Sequence, residues 1–146
     1  MATLLDVLGA DPLRATFITE CVDLIDAQVK SKGLMVKGAY VAIKAIKRRF
    51  VPEVVDGLLD EWLTKLQVHH DKWGVAKSSS FADFVVARSD EIAEDLLAVT
   101  DARAEKTSHT TAKKYYFKMR ASAKRDVIEA MPELARLVEK HLAAAA

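Results

Sequence analysis

The sequence is poor in the residues that make turns and cross-links. Its 146 residues include five glycines, three prolines and one cysteine, Cys21. A single cysteine excludes an internal disulfide, and so few glycines and prolines leave little for the tight turns between strands. No apolar run reaches the roughly 18 residues that a membrane-spanning helix needs. These absences favour a helical protein with no membrane span.

Short motifs that identify enzymes and metal sites are also missing. There is no Gly-rich phosphate loop, no Gly-x-Ser-x-Gly elbow and no Cys-x-x-Cys pair. Helical metal sites commonly place a Glu three residues before a His, and none of the four histidines has one. His69 and His70 are adjacent, so on a helix they point about 100° apart and cannot bind one ion together. We therefore expect a non-enzymatic protein with no cofactor and no metal.

Length and composition indicate an ordinary globular domain. The chain has a net charge of +1 and is 51% hydrophobic and 29% charged, which is typical of folded domains. At this length we expect one domain, residues 1–146. The N-terminal residues MATLLDVLGADP contain Asp6 and no basic leader, unlike a signal peptide. We expect a cytoplasmic protein.

Apolar residues recur at helical spacing along almost the whole chain. Thr3 and Ser80 each precede an apolar run and are followed three residues later by an acid, as in helix-capping boxes. Pro132 either kinks a helix or stands in the first turn of a final helix, residues 132–142, where proline fits well. The pattern predicts an all-α fold, a compact bundle of about eight helices.

The predicted helices repeat in order. Residues 3–73 and 80–143 read as two four-helix modules joined by a Ser-rich seam at 74–79. TLLDVL in the first half matches SFADFV in the second, and Asp26 followed by alanine corresponds to Asp101 followed by alanine. Because any two amphipathic helical segments align loosely, chance similarity is the alternative to an internal duplication.

Two stretches of the chain are rich in lysine and arginine and contain no acid. Residues 27–52 and 106–125 carry seven bases each, and Tyr115, Tyr116 and Phe117 are interleaved with the charge of the second. Such runs are commonly solvated helix faces whose long stems cover apolar neighbours. The alternative is a basic surface that binds a partner. Its candidate residues are Lys37, Lys44, Arg48, Lys113, Lys114, Lys118, Lys124 and Arg125.

Three functions are compatible with a helical chain that lacks catalytic motifs. The first, which we expect, is an interaction or scaffold protein that binds another protein or a second copy of itself. The second is a sequence-independent nucleic-acid binder, whose basic surface would contact phosphates and lose affinity steeply with salt. The third is a carrier of a small apolar ligand. Its pocket would be lined by Tyr40, Trp62, His69 and Trp73.

Two segments of the second half resemble a known protein family. They are FVVARSDEI, beginning at Phe84, and LLAVTDARA, beginning at Leu96, and the similarity extends to residues 40–59 with their basic run and DGLL sequence. The family consists of small uncharacterised bacterial proteins of actinobacterial type, which are all-helical and have no assigned activity. The resemblance therefore implies an all-α, bacterial, cytoplasmic protein.

Overall fold

A computed structural model describes residues 2–76 and 79–145, without the side chain of Ala76. Within these ranges the chain forms seven α-helices and no strand. They are α1 (Leu4–Leu8), α2 (Leu13–Lys30), α3 (Leu34–Lys44), α4 (Phe50–Ala76), α5 (Phe81–Ala87), α6 (Ser89–Lys106) and α7 (Thr110–Ala145). The predicted all-α fold is confirmed, with seven helices in the described chain instead of about eight.

The difference in helix number arises at Pro132. The count of about eight takes Pro132 as the start of a final helix, whereas α7 continues through it without a break. Proline costs a helix interior about 3 kcal/mol, because a backbone hydrogen bond is lost. Met131 and Ala135 are buried on either side of it, and Val138 is buried one turn further on. Burial of this face fixes the helix direction on both sides of the proline and outweighs its cost.

The seam predicted at 74–79 is helical at its start. α4 continues through Gly74 and ends at Ala76, while Ser80 precedes α5 as its N-cap. Positions 77 and 78 of the predicted seam lie outside the described residues. The break between the halves is therefore shorter than the sequence indicated.

The short helices α1 and α5 begin in the same way. Thr3 and Ser80 cap them as predicted, each side-chain oxygen accepting from the backbone N–H three residues later at 3.1 Å. Gln67 of α4 accepts from a first-turn N–H of α1 at 2.7 Å, and Glu139 of α7 accepts from one of α5 at 3.1 Å. Each short helix is thus fixed to the last long helix of its own half.

One large apolar core joins the two halves of the chain. It is built from α1, α2, α4, α5, α6 and the second half of α7, and Phe17 and Phe81 are its largest fully buried side chains. A smaller cluster joins α3 to the starts of α4 and α7 through Ile43, Phe50 and Ala112. The two basic segments therefore meet in the smaller cluster, away from the main core.

Two buried histidines each contact a carboxylate in the other half of the chain. His69 on α4 is 1% exposed, and its Nε2 lies 2.7 Å from Asp95 on α6. His141 on α7 is also buried and contacts Glu20 on α2. Burial raises the pKa of Glu20, but hydrogen bonds from Lys140 and His141 outweigh that effect and hold the pKa below its ordinary value.

Candidate interaction surface

Three of the eight bases predicted to form a surface face carboxylates within the fold. Lys44 Nζ lies 3.6 Å from Asp26 on α2. Lys124 Nζ lies 3.1 Å from Asp90 on α6, and Lys113 Nζ lies 3.8 Å from an acid at the end of α6. Arg120 also pairs with α6. The inner bases, as we call Lys44, Lys113, Arg120 and Lys124, hold the basic segments against α2 and α6.

A tyrosine also joins each basic segment to the helix before it. The Tyr40 hydroxyl donates to Asp26 at 2.6 Å, and the Tyr116 hydroxyl donates to Asp101 at 2.6 Å. Arg120 Nε donates to the same Asp101 at 3.0 Å. Burial, together with the hydrogen bond and charge of the neighbouring aspartate, raises the pKa of both tyrosines. Both hydroxyls are therefore neutral structural donors at neutral pH.

Ionisation of these tyrosines is expected to destabilise the fold at high pH. The folded-state pKa of both tyrosines is raised. The stability that their neutral hydroxyls contribute is therefore complete below the ordinary tyrosine pKa of about 10 and is lost as pH rises above it. Between about pH 9 and 11, Tyr40→Phe/Tyr116→Phe should lose less unfolding free energy than the parent protein. Urea unfolding at each pH measures this, with Tyr115→Phe as the control. An equal loss in all three proteins would contradict the expectation.

The remaining five bases have no carboxylate partner among the described residues, and all five are exposed. These outer bases are Lys37, Arg48, Lys114, Lys118 and Arg125. The ammonium groups of Lys114 and Lys118 lie 5.5 and 5.1 Å from the ring centroid of Tyr115. The outer bases are therefore the candidate bases whose charge no ion pair offsets within the described chain.

Large apolar side chains lie exposed on the same two helices. On α3, Leu34 is 88% exposed, Val41 is 66% exposed and Met35 is also exposed. On α7, Phe117 is 36% exposed. Leu34 and Val41 share one side of α3, because residues seven apart lie on the same helix face. These four residues and the five outer bases form what we call the outer face.

Packing of α3 against α7 brings the two parts of the outer face together. Lys32, just before α3, pairs with Asp126 at 3.2 Å, whereas Ile43 near the other end of α3 packs with Ala112 at the start of α7. The two helices are therefore antiparallel. With a rise of about 1.5 Å per residue in both, Val41 lies nearly level with a residue one turn past the start of α7.

Residues 4–142 match the model of a family of unknown function (DUF6918). The chain belongs to this family. The match spans all seven helices apart from the last residues of α7, and so includes the whole outer face. No curated protein and no solved structure is significantly similar to the chain. The expected membership in a family with no assigned activity is confirmed.

In this member of the family, one group of side chains has the spacing of a metal site. His69, Glu91 and Asp95 offer ligand atoms within 4.8 Å of one another. His69 Nδ1 is buried and has no partner among the described residues. A metal on Nε2 would place the ring proton on Nδ1, where a buried N–H without an acceptor costs about 1–3 kcal/mol. Without a metal, Nε2–H donates to the Asp95 carboxylate and Nδ1 is a buried acceptor without a donor among the described residues.

The four residues proposed to line an apolar pocket are used in separate contacts. The Trp62 ring N–H donates to the Leu96 carbonyl at 3.1 Å, and that of Trp73 donates to the Ser79 carbonyl at 2.8 Å. Tyr40 and His69 donate to aspartates, as described above. Other residues line two open clefts of the described chain, one at the start of α7 and one between α2 and α4. The four are not brought together in either cleft.

Cys21 is expected to react slowly in the folded protein. Burial, followed by the charge of Glu20, raises the pKa of its thiol to about 12. Since the thiolate is the reactive form, alkylation by iodoacetamide near pH 8 should be at least about a hundredfold slower than in urea-unfolded protein. Mass spectrometry of timed samples gives both rates. Similar rates in the two states would show that the thiol is accessible and ionised.

None of the helices in the described ranges is long and apolar enough to cross a membrane.

Proposed function

We propose that this protein is a non-enzymatic interaction protein that binds an anionic partner through its outer face. The observation that carries the proposal is the division of its bases. The inner bases pair with carboxylates of α2 and α6, whereas the outer bases are exposed and lack such partners among the described residues. Unneutralised bases on one surface raise the local positive potential and attract negatively charged partners.

The exposed apolar residues support an interaction role. Leu34, Met35, Val41 and Phe117 account for half of the large apolar side chains found exposed in the described chain. Clustered exposed apolar surface commonly marks a place where another molecule binds. Charge alone would suit a loosely held counterion layer, but apolar residues among the bases favour a partner that also buries nonpolar area.

Several partners offer this chemistry. The acidic surface of another protein or of a second copy of this chain would meet the outer bases, and so would a nucleic-acid backbone. Nucleic-acid binding is supported by the outer bases and predicts a linear fall of log affinity with log salt. A bacterial, cytoplasmic setting is part of the proposal and is supported by the family resemblance of the sequence. The apolar-carrier function has less support, because its four residues line neither of the two clefts described above.

Binding to simple anionic probes tests the proposal. The probes are a single-stranded oligonucleotide, a DNA duplex, poly-glutamate and anionic phospholipid vesicles, each at about 50 mM salt where phosphate contacts are strong. We expect at least one to bind the parent protein and to bind Lys114→Glu/Lys118→Glu at least about tenfold more weakly. The control is Lys65→Glu/Lys72→Glu, which makes the same charge change on exposed positions of α4. Absence of binding to all four probes would overturn the proposal.

We also propose that the two halves of the chain are an internal duplication, 3–73 and 80–143. Its support is the repeated set of contacts: a capped short helix, a Tyr–Asp hydrogen bond within each half, and a His–carboxylate contact to the other half. In these contacts Arg120 corresponds to Lys44. A duplication accounts for the shared order of these contacts better than chance alignment of amphipathic helices does.

A further inference from the structure

The chemistry of the outer face points to one class of partner. We propose that the outer face binds the surface of an anionic phospholipid bilayer, with α3 lying in the headgroup region. This inference rests on the proposed function and assigns the partner of the same surface. Two features carry it: exposed aliphatic side chains on α3, and exposed bases on α3 and the neighbouring α7 that have no carboxylate partner among the described residues.

The aliphatic side chains suit the boundary between headgroups and acyl chains. Leu34 begins α3 directly after Gly33 and is almost fully exposed, with Met35 beside it and Val41 two turns further along the same helix. Side chains this exposed project beyond their surroundings. Amphipathic helices that bind membranes bury such side chains a short way into the interface while remaining parallel to it.

The outer bases suit the phosphates of the same interface. Lys37 and Arg48 lie on or just after α3, and Lys114, Lys118 and Arg125 follow one side of the neighbouring α7. Clusters of four to eight bases beside an apolar helix face are typical of binding to anionic lipids, and each base strengthens binding by several-fold. The antiparallel packing of α3 and α7 presents both sets of bases on adjacent helices.

The same residues suit the other partner classes less well. A nucleic acid would contact the bases but leave Leu34 and Val41 unburied, and single strands need aromatic rings on which bases stack. Phe117 is the one aromatic of the outer face, and its ring packs edge-on against Tyr116. A partner helix binds in a groove, whereas the most exposed residues of α3 protrude.

Vesicle flotation tests the inference with the full chain. Vesicles of equal parts phosphatidylglycerol and phosphatidylcholine are compared with pure phosphatidylcholine at about 50 mM salt. We expect the parent protein to float with the anionic vesicles only. Lys114→Glu/Lys118→Glu should reduce the partition coefficient at least about tenfold because it removes two headgroup contacts. Leu34→Ser/Val41→Ser should reduce it by a similar factor because it removes the inserted side chains.

Matched controls separate the outer face from general surface effects. Val68→Ser/Val75→Ser changes two exposed apolar residues of α4, which are 53% and 90% exposed, and Lys65→Glu/Lys72→Glu repeats the charge reversal there. Both controls should float like the parent protein. Melting temperature and circular dichroism establish that each variant is folded.

The outcomes distinguish this inference from the proposed function. No flotation with anionic vesicles, or flotation that the outer-face variants leave unchanged, overturns the lipid inference. If the oligonucleotide or poly-glutamate still binds in a Lys114/Lys118-dependent way, the proposed function survives with a different partner. If flotation depends on Lys114 and Lys118 but not on Leu34 and Val41, insertion is excluded and the lipid inference fails. Failure of every anionic probe overturns both.

Discussion

Phe117→Ala is expected to leave the unfolding free energy nearly unchanged, whereas Phe17→Ala should lower it by about 3–5 kcal/mol. The two substitutions remove the same ring from opposite environments. Phe17 is 2% exposed and packs edge-on against His141, so its removal leaves a cavity in the main core. Phe117 is 36% exposed on the outer face, so its removal leaves no enclosed cavity and costs much less.

Thermal melting of the two variants measures the difference. For a chain of this length, the Phe17→Ala loss corresponds to a fall in melting temperature of roughly 10–15 °C, and Phe117→Ala should melt within a few degrees of the parent protein. The same comparison decides between the two readings of the basic segment 106–125. If Phe117→Ala destabilised the protein as much as Phe17→Ala, the Phe117 side chain would be part of the core and not of the outer face.

Asp101→Ala is expected to lower the unfolding free energy by about 1–3 kcal/mol, because it leaves partly buried donors without an acceptor. Tyr116 and Arg120 both donate to this carboxylate. Asp26→Ala should have a similar effect through Tyr40, since the two aspartates make corresponding contacts. Asp23→Ala, at an exposed position one turn earlier on α2, is the control and should change stability by less than about 0.5 kcal/mol.

Urea unfolding of the three alanine variants measures these losses. The two Tyr–Asp contacts lie in different halves, so the losses in Asp26→Ala/Asp101→Ala should add to within about 0.5 kcal/mol. A loss at one aspartate only would show that the two contacts are not equivalent. That result would remove the strongest support for an internal duplication.

Features fixed by a few neighbouring residues could be predicted from the sequence. The caps at Thr3 and Ser80 follow from residues within one helical turn, and the buried position of His69 follows from helical spacing with its apolar neighbours. The continuation of α7 through Pro132 could not be predicted in this way. It depends on the burial of Met131 and Val138 against other helices. The helix propensities of neighbouring residues carry no information about such contacts.

The division of the bases could not be predicted either. Lys113 and Lys114 are neighbours in an acid-free run, yet only Lys113 faces a carboxylate, because the position of the end of α6 decides which base meets an acid. The apolar part of the outer face was also missed. Leu34 and Val41 have the seven-residue spacing of a second apolar strip on α3. The inward-facing residues Tyr40 and Ile43 were enough to predict the helix, so the pattern did not require a second strip.

Inner bases are expected to stabilise the fold and outer bases are not, and charge reversal on α7 tests this difference most directly. Arg120→Glu places a third acid beside Asp101 and Glu94, whereas Lys118→Glu changes an exposed base without a carboxylate partner in the described structure. The measurement is the melting temperature of each variant. We predict a fall of roughly 3–8 °C for Arg120→Glu and a change of less than about 2 °C for Lys118→Glu. Equal falls in the two variants would contradict the account.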